Sequence, residues 1–236
     1  QYRRTLHEAW ARGLNQATIH KYTHQPMEDK PGLMDYDIFN RHMAWWPLAE
    51  GFIGYMGRCQ YLLQQGEFVA DAAYFVGEGA SRFVPGKESL RPALPSGYDY
   101  DGMNAEVLLT RLAVKKGQLV LPAPAAKPGE RGGEGMKYRY LVLCEPQCRT
   151  LSPAVLGKIK ELVNAGATVV GLPPQGAPGL TDRANAEAAV KRLVADLGGS
   201  SPAAEGMRKV GKGRVIWGRA MEAILANPVA EKVILS

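Results

Sequence analysis

Apolar positions along this chain follow two different rhythms, and the change comes near residue 67. In the first stretch Leu6 and Trp10 stand four apart, which predicts a helix over residues 3–12 with one apolar face. Gly13 would end it. Gln16 to Ile19 reads as a short buried strand. Residues 21–40 gather Pro, Gly and Asp, so a long loop is expected there. From 43 to 65, Leu48, Phe52, Tyr55, Cys59, Leu62 and Leu63 keep a three-or-four spacing that predicts one long helix. Pro47 lies in its first turn, where proline is tolerated, and Gly66 closes it.

The second stretch opens with Val69–Val76, a nearly continuous apolar run that predicts a buried strand. Residues 77–97 carry Pro85, Pro92 and Pro95 and read as a loop. Met103–Thr110 reads as a short helix. Leu112–Val114 and Gln118–Leu121 flank Lys115–Gly117 as a hairpin, and 122–136 is low in complexity. A regular alternation follows: strand Tyr138–Leu143, helix Pro153–Ala165 with Ser152 as N-cap, strand Thr168–Gly171, helix 185–196, strand Gly213–Trp217 and helix Ala220–Ala226. Strands alternating with helices imply right-handed crossovers and a parallel sheet. The expected organisation is therefore a separate element over 1–66 and one doubly wound, flavodoxin-like α/β domain over 67–236. No internal repeat is present.

Composition narrows the classes. The chain has 236 residues, 46% apolar and 22% charged, which fits an ordinary globular protein. No apolar run approaches the roughly 20 residues that span a bilayer. Residues 1–10 lack the apolar core of a signal peptide, and Gln1 in place of an initiator Met fits a mature or truncated piece. The formal charge is +6. The cations are spread along the sequence without a block of five, so charge reads as solubility and nucleic acid is not an expected partner. The three cysteines, Cys59, Cys144 and Cys148, read as free thiols and not as a disulfide framework.

The chemistry concentrates early. Leu14–Pro26 is an apolar run ending in His20, Tyr22 and His24. On an extended chain alternate side chains share a face, so both imidazoles can point into one cleft. They could bind sugar hydroxyls or a carboxylate, make structural hydrogen bonds at a rim, or ligate a metal, which would need further ligands. Trp45 and Trp46 are candidates for packing on the C–H faces of a sugar, with core packing as the alternative. Adjacent residues of a helix point about 100° apart, so one of the two at most faces a cleft. Arg41 and His42 read as solvated. Hydrolysis of a glycosidic bond needs two carboxyls roughly 5–10 Å apart. The acids nearby, Glu28, Asp29, Asp35, Asp37 and Glu50, follow no recognisable strand, and none is chosen as a catalytic pair.

The second domain offers less. Cys144 follows a strand, as in a glutamine amidotransferase-like domain, but lacks the flanking glycines of a nucleophile elbow. All four histidines precede residue 43, so no triad can form from them there. The glycines at 129–135 lack the Lys-Ser/Thr of a phosphate loop. Gly97–Asn104 resembles part of a calcium loop without its twelfth-position Glu, and Asp101 reads as a helix N-cap.

The order His20–Pro26, Asn40–Trp46, Tyr55–Gly66, Val69–Asp71 and Gly97–Asp101 resembles glycoside hydrolase family 106, the bacterial α-L-rhamnosidases. Arg58-Cys-Gln-Tyr-Leu-Leu-Gln-Gln-Gly66 carries the resemblance most specifically. The resemblance implies that residues 1–66 are the last strand and last helix of a (β/α)8 TIM barrel, with the site at the strands' carboxyl ends. It implies inverting hydrolysis of an α-L-rhamnosyl bond, with both catalytic glutamates on barrel strands outside this chain. His20, Tyr22, His24 and one of Trp45 or Trp46 would line the sugar subsite. No cofactor is expected in this chain, and calcium in the full-length enzyme is implied. The remaining expectations are a carbohydrate substrate, the rest of the barrel as partner, no membrane, a possible oligomer, and a periplasmic or extracellular bacterial location. A non-catalytic α/β domain for assembly or carbohydrate binding is the competing expectation.

Overall fold

The computed structural model describes residues 2–19, 43–66, 68–79, 83–123, 135–179, 182–198 and 205–226. The chain forms two compact units, Gln1–Gly66 and Glu67–Ser236.

In the first unit, α1 spans Tyr2–Ala11 and α2 spans Ala49–Leu63. The long helix expected from residue 43 starts later. Pro47 has no N–H for an α-helical ladder, so the chain enters through a 3-10 turn, Trp46–Leu48. Leu48 N donates to Trp45 O at 2.9 Å, and Ala49 N to Trp46 O. Ala49, Met56 and Gln60 form the buried stripe of α2. The positions read as an apolar stripe fare differently: Phe52, Tyr55 and Cys59 are half-buried, while Leu48 and Leu62 are 79% and 69% exposed. The strand expected at Gln16–Ile19 is a segment without regular secondary structure and without a strand partner among the described residues. Gln16 and Thr18 are exposed, and Ala17 and Ile19 are half-buried.

The second unit is built on a six-stranded sheet. Its strands are β1 Ala72–Phe75, β2 Tyr100–Met103, β6 Tyr140–Leu143, β7 Thr168–Val170, β8 Gly206–Val210 and β9 Gly213–Trp217. They lie in the order β2-β1-β6-β7-β9-β8. All neighbours are parallel except the edge pair β8–β9. A smaller antiparallel sheet joins β3 Ala113–Lys115, β4 Gln118–Leu121 and β5 Met136–Tyr138. The strand expected at Tyr138–Leu143 is thus two strands in two sheets, broken at Arg139.

Period-two alternation sorts the buried side chains onto two faces. Ala73, Phe75, Leu141, Leu143 and Val169 pack with Leu156, Ile159 and Val163 of α4 (Pro153–Ala165) and Val190 of α5 (Arg183–Leu197). Ala72, Tyr74, Tyr140, Val142 and Val170 pack with Met221 and Leu225 of α6 (Met221–Ala226). A sheet covered on both faces must be apolar throughout, which is why β1 and β6 are buried at every position. The short helix α3, Ala105–Thr110, follows β2.

Candidate functional site

His20, Tyr22 and His24 lie outside the described residues, as do Arg41, His42, Glu28, Asp29, Asp35 and Asp37. Trp45 and Trp46 are described. Both are half-buried, and their rings meet edge to face, with centroids 6.0 Å apart and planes at 61°. Aromatic rings favour this arrangement because the positive edge of one meets the negative face of the other.

The chain that leads to His20 is fixed from α2. Gln60 is 8% exposed, and its Oε1 accepts from Ala17 N at 3.0 Å. One turn later Gln64 Nε2 donates to Asn15 O at 3.2 Å. Residues four apart on a helix share a face, so the two carboxamides read the backbone of residues 15–17 like a neighbouring strand would. This gives the Arg58–Gly66 run a physical role: it positions the backbone running toward the two histidines. Backbone outside helices and sheets has donors and acceptors that must be met where it is buried, and the glutamines meet two of them.

Sequence reasoning missed a cluster between the two helices. His7 Nε2 lies 2.7 Å from Tyr55 Oη. Its ring stacks on Trp10 at 5.5 Å between centroids, and the Arg3 guanidinium sits 4.3 Å above the Tyr55 ring. The signal was present as Arg3, His7 and Trp10 spaced four and three apart on α1, but only the apolar pair Leu6 and Trp10 was counted. Glu8, the carboxylate next in sequence, bonds Arg4 instead. The cluster therefore joins α1 to α2 by stacking and a hydrogen bond, without the two carboxyls that glycoside hydrolysis requires.

In the second unit, open parallel sheets place ligands outside the strands' carboxyl ends where the connections diverge. Here that point lies between β1 and β6, where loops of the chain itself come together. Gly77 (φ +83°) faces Gln147 so closely that a Cβ would stand 2.7 Å from the Gln147 carbonyl oxygen. Glu78 Oε2 accepts from Ser152 N at 2.6 Å. A carboxylate of the chain thus occupies the amino end of α4, where the helix dipole would attract an anionic ligand. Cys148 Sγ donates to Phe75 O at 3.2 Å. Cys144 is buried, and burial pushes its thiol up from the ordinary value, so it is a poor nucleophile. Asp101 is not the N-cap it resembles. It lies in β2 and accepts from Tyr138 Oη at 2.8 Å; burial first, and then this hydrogen bond, raises the phenol. Asn104 caps α3, its Oδ1 accepting from Val107 N at 2.9 Å. Among the described residues no three His, Cys, Asp or Glu side chains come together to hold a metal.

A family model described as alpha-L-rhamnosidase, Glyco_hydro_106, matches residues 1–234. A protein of Formosa agariphila named "Putative beta-glucuronidase" is 37% identical over 189 residues, which cover 78% of this chain and 15% of that protein. The solved structure of a rhamnosidase from Novosphingobium sp. PP1Y superposes with a TM-score of 0.68 at 31% identity, covering 91% of this chain and 19% of that one. The chain thus spans less than a fifth of the length of the relatives it matches.

Proposed function

The chain belongs to glycoside hydrolase family 106, and from this we propose that it is the C-terminal part of a rhamnosidase-like enzyme. In this reading residues 1–66 supply the last strand and last helix of the catalytic (β/α)8 barrel. Residues 67–236 form a flavodoxin-like accessory domain, a reading supported by the parallel strand order β2-β1-β6-β7-β9. The substrate is a polysaccharide carrying α-L-rhamnosyl or related bonds. The acid and base belong to barrel strands outside this chain.

The observation that carries this reading is the segment Asn15–Ala17, bonded to Gln60 and Gln64 and lacking strand neighbours among the described residues. A final barrel strand leads its chain directly into the site, and Ile19 precedes His20. His20, Tyr22 and His24 then hydrogen-bond sugar hydroxyls, and one of Trp45 or Trp46 packs on the ring's C–H face. The exposed Leu48 and Leu62 fit a helix whose outer stripe the rest of a barrel covers.

Calcium, which the family resemblance implies, is assigned no ligand among the described residues, and no step is routed through it. No helix among them is long and apolar enough to cross a membrane. A periplasmic or extracellular location is proposed from the family alone. The relative named for a β-glucuronide favours a second reading of the substrate, a uronoside, on the same barrel architecture.

Two assays test the proposal. The full-length protein should release the aglycone from an aryl α-L-rhamnoside. The 236-residue chain alone should not, and turnover by a mass-verified preparation of it would place the acid and base within this chain.

A further inference from the structure

The cations that look scattered along the sequence are gathered by the fold. The turn between β3 and β4, the break between β5 and β6, and the β8–β9 hairpin meet at the amino ends of the parallel strands. They enclose an open groove of about 620 Å³, lined by Lys116, Arg139, Lys209, Lys212 and Arg214. No Asp or Glu stands among its described lining residues. Arg139 is paired at the rim, its Nη1 3.7 Å from Asp71 Oδ1.

Folding brings these five together by specific contacts. Lys116 and Gly117 form the hairpin turn with φ of 51° and 77°, and Gly117 packs against Gly166 at the end of α4. Lys212 N donates to Asn164 O at 3.1 Å, which folds the β8–β9 turn toward the same end. The carboxyl end of α4 offers about −0.5 of an elementary charge, too little to balance Lys116, Lys209 and Lys212. Like charges brought this close repel one another, and the cost is offset when an anion sits among them. Lys116, Lys209 and Lys212 are exposed and can reach such a ligand.

We propose that this groove, built from residues 116–214 alone, binds an acidic segment of the polysaccharide, carrying carboxylate or sulfate groups. The choice of a glycan rests on the family reading. The choice of an anion rests on the groove. Nucleic acid is disfavoured because no aromatic side chain stands among the described lining residues to stack on a base.

The test is binding of the full-length protein to three polymers of similar length: a sulfated glycan, polygalacturonate and neutral dextran. A single-stranded oligonucleotide of matched charge is the fourth probe. The proposal predicts retention of the two acidic glycans but not dextran, weakening steeply with salt. The sulfated and carboxylated arms identify which acid is preferred. K209E/K212E should weaken acidic-glycan binding at least tenfold. K191E/R192E, with the same change in net charge on residues outside the groove, should leave it within twofold. Equal losses from both double variants would reduce the effect to overall charge and overturn the proposal. Tighter binding of the oligonucleotide, with the same sensitivity to K209E/K212E, would overturn the glycan assignment. Acidic-glycan binding in a protein that does not cleave a rhamnoside would leave the groove standing and remove the proposed activity.

Discussion

Gln60 places a polar side chain in the buried stripe of α2 and spends it on the backbone of Ala17. Replacing it with Ala should cost about 1–3 kcal/mol, because the half-buried Ala17 N–H loses its acceptor and a cavity opens. Urea unfolding would read this as a lower midpoint. His24→Ala should act differently: kcat/KM of the full-length enzyme on an aryl rhamnoside should fall roughly 100-fold or more, with the midpoint unchanged, if a transition-state contact is lost. An unchanged rate would take His24 out of the site. Four groups act at the alkaline limit. Burial raises the Cys144 thiol above its ordinary 9.0, and raises the Tyr74, Tyr100 and Tyr138 phenols above 10.0. The unfolded chain therefore releases these protons first as pH rises. Stability is fully present below about pH 9 and is lost progressively above it. Thermal melts from pH 7 to 11 should show this fall, and a midpoint constant to pH 11 would contradict it.

At the scale of elements, the clearest signals were those in which local chemistry and burial agree. Helix α4 is legible because Ser152 caps it, with Oγ accepting from Val155 N at 3.3 Å, Pro153 opens it and Gly166 ends it at φ +124°. Ser152→Ala should cost about 1 kcal/mol in chemical denaturation. Gly77→Ala should cost more, above about 2 kcal/mol, since it adds backbone strain at positive φ to a clash with the Gln147 carbonyl. The β3–β4 hairpin was also legible, because Lys-Gly tolerates the positive φ values that a tight turn demands. Strands β2 and β8 were not. Tyr100-Asp-Gly-Met103 and Gly206-Met-Arg-Lys-Val210 are edge strands with little burial, so they lack the apolar alternation that marks a strand. The entry of α2 was placed too early because Pro47 tolerates a helical first turn without requiring one. Asp101 misled because Asp caps helices, while the side chain that does so is Asn104, three residues on. Tyr138 claims Asp101 across the sheets, a partner 37 residues away that no local pattern shows.

For the whole molecule, the sequence carried the family more clearly than it carried the site. The Arg58–Gly66 run that marks the resemblance turns out to hold backbone, through Gln60 and Gln64, and does not itself present chemistry. The second unit follows the expected alternation of parallel strands and helices. At the carboxyl ends of β1 and β6, Gly77 meets Gln147 and Glu78 accepts from Ser152 N at the start of α4. The basic groove was illegible because its five cations come from residues 116 to 214 and meet only in three dimensions. The proposal that this chain completes a rhamnosidase-like barrel is tested most directly by single-turnover hydrolysis of an aryl α-L-rhamnoside by the full-length protein, wild type beside His24→Ala. The account predicts rapid aglycone release by the wild type and its near loss in the variant. No release by a folded wild-type protein would contradict it.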